Sequence, residues 1–112
     1  MNVICSIEES FRGMENGVFS FFIDKNFPAF NGHFPSFPIL PGIVQVEMAL
    51  FCIKKILNNE NANIQEIRKI KFIKPIFPQT EVFVEIIQND SKFNATVKDC
   101  NVVFSQIFMS VK

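Results

Sequence analysis

His33 is the only histidine of the 112-residue chain, and it stands in Gly32-His33-Phe34-Pro35-Ser36-Phe37-Pro38-Ile39-Leu40-Pro41-Gly42, a stretch with three prolines. Its imidazole is the one side chain here whose ordinary pKa lies near neutrality, which suits it to act as a general base. Read alone, such a histidine is structural or simply exposed. The prolines restrict the backbone after it and reduce the freedom the loop loses in holding one geometry. Glu47 follows fourteen residues later among the apolar Val44, Val46, Met48, Leu50 and Phe51. A carboxylate in that setting must be paired, solvated in a cavity or protonated, unless it lies on a narrow solvent stripe beside Gln45 or Lys54. Gly42 adds a third element. At a helix start a glycine lets a ligand approach unpaired backbone N–H groups, which can hold a carbonyl oxygen that becomes negative. One such donor contributes about 2.7–4 kcal/mol to a transition state, comparable to the roughly 10²–10⁴-fold of general acid–base catalysis. Base, acid and oxyanion donor thus fall within one fifteen-residue window.

These groups need elements to hold them. From Gly42 to about Leu57 no proline, further glycine or turn cluster interrupts the chain, and Asn58-Asn59-Glu60-Asn61 closes the segment, so a helix of about sixteen residues, near 24 Å long, is predicted. Pro41 and Gly42 mark its start, while Lys54 and Lys55 suit the negative end of its dipole. Its apolar positions, among them Ile43, Val44, Met48, Leu50, Ile53 and Leu57, cover most of the circumference, and a helix of that kind must be wrapped. Residues 2–8 alternate loosely and read as a strand. Arg12-Gly13-Met14-Glu15-Asn16-Gly17 reads as a turn, and 18–23 as a second strand. Four more strands are expected at 64–73, 81–88, 92–98 and 102–111, with short connections that favour antiparallel neighbours. The economical arrangement is α+β, a curled antiparallel sheet of five or six strands around one long helix, with sheet edges or faces left for a second subunit.

Composition narrows the classes. The length fits one domain, 1–112, and surface scaling buries about two-thirds of the unfolded chain's area. Hydrophobic residues make up 48% and phenylalanines number fifteen, rich enough to expect apolar surface covered by a partner or ligand, with a homo-oligomer as the default. Formal net charge is zero, so no overall field draws the protein to nucleic acid or an anionic membrane. Cys5, Cys52 and Cys100 are odd in number and form no C-x-x-C pair, against a disulfide framework or zinc site and in keeping with a reducing cytoplasm. The first residues lack signal-peptide character and no apolar run reaches about 18 residues, so neither secretion nor membrane insertion is expected.

Gly32-His33-Phe34-Pro35-x-x-Pro38-Ile39-Leu40-Pro41-Gly42-Ile43-x-x-x-Glu47 closely resembles the signature of the hotdog-fold 3-hydroxyacyl-(acyl-carrier-protein) dehydratases of the FabZ and FabA type, including its fourteen-residue His-to-Glu spacing. Phe30-Asn31 and Phe72-Ile73-Lys74-Pro75-Ile76-Phe77-Pro78 resemble the flanking strand and Lys/Arg-Pro turn of that family. The resemblance implies a helix wrapped by an antiparallel sheet, two subunits joined into one extended sheet, and active sites that combine the histidine of one with the acid of the other. It implies that His33 takes the α-proton of a (3R)-3-hydroxyacyl thioester, Glu47 helps protonate the departing hydroxyl, and the Gly42 N–H stabilises the enolate-like oxygen. Phe34, inside the motif, is nominated for substrate binding. The resemblance implies no metal or redox cofactor, and a substrate carried on the phosphopantetheine of an acyl carrier protein. Glu47, where the isomerising branch has Asp, implies dehydration to a trans-2-enoyl thioester without isomerisation.

The chain departs from the family pattern at several points. Ser36 stands where glycine is usual, Phe51 replaces a glutamine four residues beyond the acid, and the chain has no tyrosine. The N-terminal helix of the housekeeping members is not expected. The short form resembles the small dehydratases of specialised polyene-type pathways. Two other readings keep the same fold: a thioesterase, which leaves the His-Phe-Pro loop unexplained, and a non-catalytic acyl-binding or carrier-docking subunit. Phe19, Phe21, Phe22, Phe27, Phe30 and Phe37 are read as core rather than as an acyl tunnel. Arg68, Lys69, Lys71 and Lys74 read as a solvated strand edge that could also receive an acidic carrier protein.

Overall fold

The computed structural model describes residues 3–30 and 38–112. In chain order it contains α1 (Val3–Ser10), β1 (Phe11–Glu15), β2 (Val18–Ile23), a 3₁₀ turn (Pro28–Phe30), α2 (Gly42–Leu57), β3 (Ile64–Phe72), β4 (Thr80–Asn89), β5 (Lys92–Lys98) and β6 (Val103–Val111). The six strands form one antiparallel sheet in the order β1-β2-β4-β5-β6-β3. Alternation along the strands sorts the two faces. Phe19, Phe21 and Ile23 of β2 and Phe93, Ala95 and Val97 of β5 are buried, with polar or partly exposed residues between them. Phe27 and Phe30 are buried as well and are core with Phe19 and Phe21, whereas Phe22 lies partly exposed on the opposite face under Arg12, and Phe37 lies outside the described residues.

Helix α2 spans the length predicted for it. Its start has no side-chain cap: Pro41 is extended (φ −60°, ψ 147°), and its carbonyl accepts the first intrahelical bonds from the Val44 and Gln45 N–H groups. Its end is set by Asn58, which adopts the left-handed conformation (φ 51°, ψ 44°), while the N–H groups of Asn58 and Asn59 reach the carbonyls of Lys55 and Lys54. This termination satisfies carbonyls the helix would otherwise leave open, in a conformation asparagine tolerates. Val44, Val46, Met48, Ala49, Leu50, Cys52 and Ile53 are all buried, which is why one flat sheet face would not have sufficed.

The N-terminus corrects the sequence reading. Residues 2–8 are expected as a strand and 12–17 as a turn; instead Val3–Ser10 is a helix, Phe11–Glu15 is the edge strand, and only Asn16-Gly17 turns, with φ 53° and 78°. Val3, Ile4 and Ile7 fit a spacing of three to four as well as a spacing of two, so periodicity did not discriminate. Ile7 is buried by this helix, and Ser10 Oγ donates to the Ile7 carbonyl at 2.7 Å near its end. Asn-Gly with both residues at positive φ is the two-residue hairpin turn that matches strand twist. It requires a strand before it, which Phe11 anchors through ring contacts at 5.5 Å to Phe21 and 5.3 Å to Phe51. An N-terminal helix is therefore present where none was expected.

Burial raises the thiol pKa of Cys52, the neighbouring Lys55 only partly opposing it, whereas Cys100 is exposed. Native protein treated with iodoacetamide is expected to carry the label on Cys100 and none on Cys52 until denaturant is added, as read by peptide mass spectrometry.

Candidate functional site

His33 and Phe34 lie outside the described residues. The structure places the segment that follows them. The Leu40 N–H donates to the Ile76 carbonyl at 2.8 Å, tying the Pro38–Pro41 approach to the chain beyond β3. Two further contacts hold the start of α2. Ser105 Oγ on β6 donates to Gln45 Oε1 at 2.6 Å, and Gln45 Nε2 donates to the Leu40 carbonyl at a long 3.5 Å. Phe72 pairs with Ser105 across the β3–β6 ladder, and its ring tip meets Gly42: a Cβ built on that glycine would stand 2.5 Å from Phe72 Cζ. Glycine here is a steric requirement of the Phe72 ring, in addition to any role in letting a ligand approach.

Gln45 is 3% exposed, which corrects the idea that it shares a solvent stripe with Glu47. Glu47 is half-buried and lines a cleft of about 520 Å³ between α1 and the second half of α2, with Ile7, Glu8, Leu50, Phe51 and Lys54 among the walls. The carboxylate is thus neither fully enclosed nor on a stripe with Gln45; it shares an open cleft with Lys54. Phe51 forms one wall. Its ring contacts Phe11 and Phe21, and Lys55 Nζ lies 4.9 Å from its centre.

Gly42 and Glu47 do not converge within one chain. Five residues advance a helix by about 7.5 Å and leave the two positions about 140° apart around the axis. Gly42 faces Phe72 at the β3 end of the sheet, while Glu47 faces the cleft beside α1. Gln45, Ser105 and Phe72 escaped the sequence reading as parts of the site. Gln45 alone left a signal, as an amide inside an otherwise apolar helix.

Around this site β3 offers an edge. It pairs with β6, and among the described residues no strand pairs with its other side. Ile67, Phe72, Ile73 and Phe77 are exposed at or just beyond it, as are Arg68, Lys69, Lys71 and Lys74. Among the described residues no helix is long and apolar enough to cross a membrane.

Wrapping of one long helix by a curled antiparallel sheet is the hotdog architecture. Comparison with known proteins makes the assignment specific: residues 9–107 match the family model of the ApeI-like dehydratases, described as ApeI dehydratase. The chain is 32% identical to the 3-hydroxyacyl-[acyl-carrier-protein] dehydratase FabZ of Ehrlichia canis, the match covering 98% of this chain and 81% of that enzyme. It is also 32% identical to the FabZ of Wolbachia sp. subsp. Brugia malayi, over 86% of this chain and 65% of that one. Among solved structures, the dehydratase heterocomplex ApeI:P from Xenorhabdus doucetiae superposes with a TM-score of 0.75 at 22% identity, over 84% of each chain. The chain belongs to the ApeI-like dehydratase family.

Ser105→Ala would leave Gln45 Oε1 buried without its donor, at a cost of about 1–3 kcal/mol. A fall of that size in denaturant-unfolding free energy is expected, with less than the sum of the single losses for Ser105→Ala/Gln45→Met, which removes both buried partners together.

Proposed function

We propose that this dehydratase removes water from (3R)-3-hydroxyacyl thioesters carried by an acyl carrier protein, giving trans-2-enoyl thioesters, with His33 as base, Glu47 as acid and the Gly42 N–H as oxyanion donor. The observation that carries the reading is the motif from Gly32 to Glu47 in a chain whose relatives are FabZ dehydratases. His33 takes the α-proton, and the electron pair moves toward the thioester carbonyl. The Gly42 N–H at the positive end of α2 stabilises that oxygen as it gains charge. Expulsion of the 3-hydroxyl then needs a proton, which Glu47 delivers directly or through a water in its cleft, and the proton on His33 restores the acid for the next turnover. Atoms and electrons balance without metal or redox cofactor. Phe34, beside the base, would border the acyl chain.

The divergence of Gly42 and Glu47 on α2 favours a homodimer in which each site takes its histidine from one subunit and its acid from the other. The β3 edge, which no strand pairs among the described residues, carries Ile67, Phe72, Ile73 and Phe77 at or just beyond it and is the surface suited to that association. The Arg68, Lys69, Lys71 and Lys74 cluster is suited to an acidic carrier protein. A protein that acts on carrier-bound intermediates of biosynthesis belongs in the cytoplasm.

Purified protein incubated with 3-hydroxyacyl thioesters of several lengths, on carrier protein and on coenzyme A, should generate the ultraviolet absorbance of an enoyl thioester without release of thiol. His33→Ala and Glu47→Gln should each lower kcat by about 10²–10⁴-fold. Mixing the two variants should restore about a quarter of wild-type activity, because about half of the reassorted dimers hold one intact site of two. Thiol release without enoyl product would turn the assignment to a thioesterase, and neither product on any substrate would leave an acyl-binding subunit.

A further inference from the structure

We propose that Phe72 is a positioning residue for the dehydration, acting through the backbone of Gly42 rather than by touching substrate. The inference rests on Gly42 being the oxyanion donor. Three observations meet at this point. The Phe72 ring approaches Gly42 tip first: Cζ is 2.5 Å from where a Cβ would lie, and Cε1 and Cε2 are at 3.0 and 3.1 Å, so the para carbon is the contact. Phe72 nevertheless keeps 56% of its surface exposed in the single chain, far more than a residue retained for packing the core of its own subunit. Its cross-strand neighbour Ser105 is fully buried and binds Gln45, which reaches back to the Leu40 carbonyl.

One β3–β6 residue pair therefore touches the Pro41–Gly42 turn from two directions. Ser105 holds the first turn of α2 through Gln45, and Phe72 bears on its first residue. Pro41 caps the helix with no side-chain hydrogen bond, so nothing of that kind fixes the first turn locally. An oxyanion donor works only if it is held where the charged oxygen will form, and a displacement of about 1 Å can cost about 10²-fold in rate. The ring tip limits how far Gly42 can move toward β3, and the hydrogen-bonded pair limits rotation of the turn.

The test compares Phe72→Leu, Phe72→Tyr, Gly42→Ala and Gly42→Ala/Phe72→Leu by steady-state kinetics on a 3-hydroxyacyl thioester, with thermal unfolding of each. Phe72→Leu withdraws the ring tip and is expected to lower kcat about tenfold with KM within about twofold, the signature of an interaction felt only in the transition state. Phe72→Tyr extends a hydroxyl from Cζ into the Gly42 backbone and is expected to lower kcat as well. Gly42→Ala drives a methyl into the ring, and shortening the ring in the double variant should recover about tenfold of the lost kcat. The proposal is overturned if Phe72→Leu leaves kcat unchanged, if it shifts KM alone, or if the double variant is no more active than Gly42→Ala. It is equally overturned if losses follow the unfolded fraction or, by size-exclusion chromatography, the fraction dissociated to monomer. A wild type that forms no enoyl product defeats the dehydratase reading itself, a result separable from failure of the Phe72 variants in an active enzyme.

Discussion

A helix that is apolar on nearly every side cannot rest on one flat surface, and this constraint shapes the molecule. Burial of Val44, Val46, Met48, Ala49, Leu50, Cys52 and Ile53 calls for apolar neighbours around most of α2. The sheet meets it by curling, with β2, β4, β5 and β6 turning alternate side chains inward and α1 with its Ile7 closing part of what the sheet leaves open. What remains uncovered is informative: Ile43 at the helix start is 65% exposed, on the side of the molecule where β3 ends in exposed Phe72 and Ile73.

The same helix carries two polar groups two residues apart, with opposite fates. Gln45 points to β6 and is buried, because a neutral amide can be satisfied there by one hydroxyl and one carbonyl. Glu47 lies about 200° further around the axis, where the wrapping is incomplete and the α1–α2 cleft supplies room for water. A carboxylate at position 45 would have had a single hydroxyl donor and an opposing carbonyl. The incomplete enclosure of the helix thus leaves Glu47 room to keep its carboxylate in contact with solvent.

Legibility tracked the number of independent signals. The bounds of α2 were readable because Pro41-Gly42 and Asn58-Asn59 punctuate an uninterrupted apolar run, and β4, β5 and β6 were readable from alternation and short turns. The first fifteen residues were not, since a short segment with apolar residues at 3, 4 and 7 satisfies both periods and its state is decided by whether Ile7 can dock beside α2. The Asn16-Gly17 signal is present, yet the strand before it, Phe11–Glu15, carries a single strongly apolar anchor, and residues 12–17 therefore read as one turn.

By itself, the sequence determined the reaction class, because the His-Phe-Pro loop, the Pro-Gly helix start and a glutamate fourteen residues from the histidine form a local motif that resembles the dehydratase signature without need of coordinates. It also determined that a sheet must wrap α2, since that follows from the helix's own composition. Only the tertiary structure decided that Gly42 and Glu47 face different surroundings, that Gln45 is buried against Ser105 sixty residues away, and that Phe72 abuts the glycine. Those relations depend on strand order and register, in which β6 separates β5 from β3, and strand order is set by the balance of packing over the whole chain rather than by any short run within it.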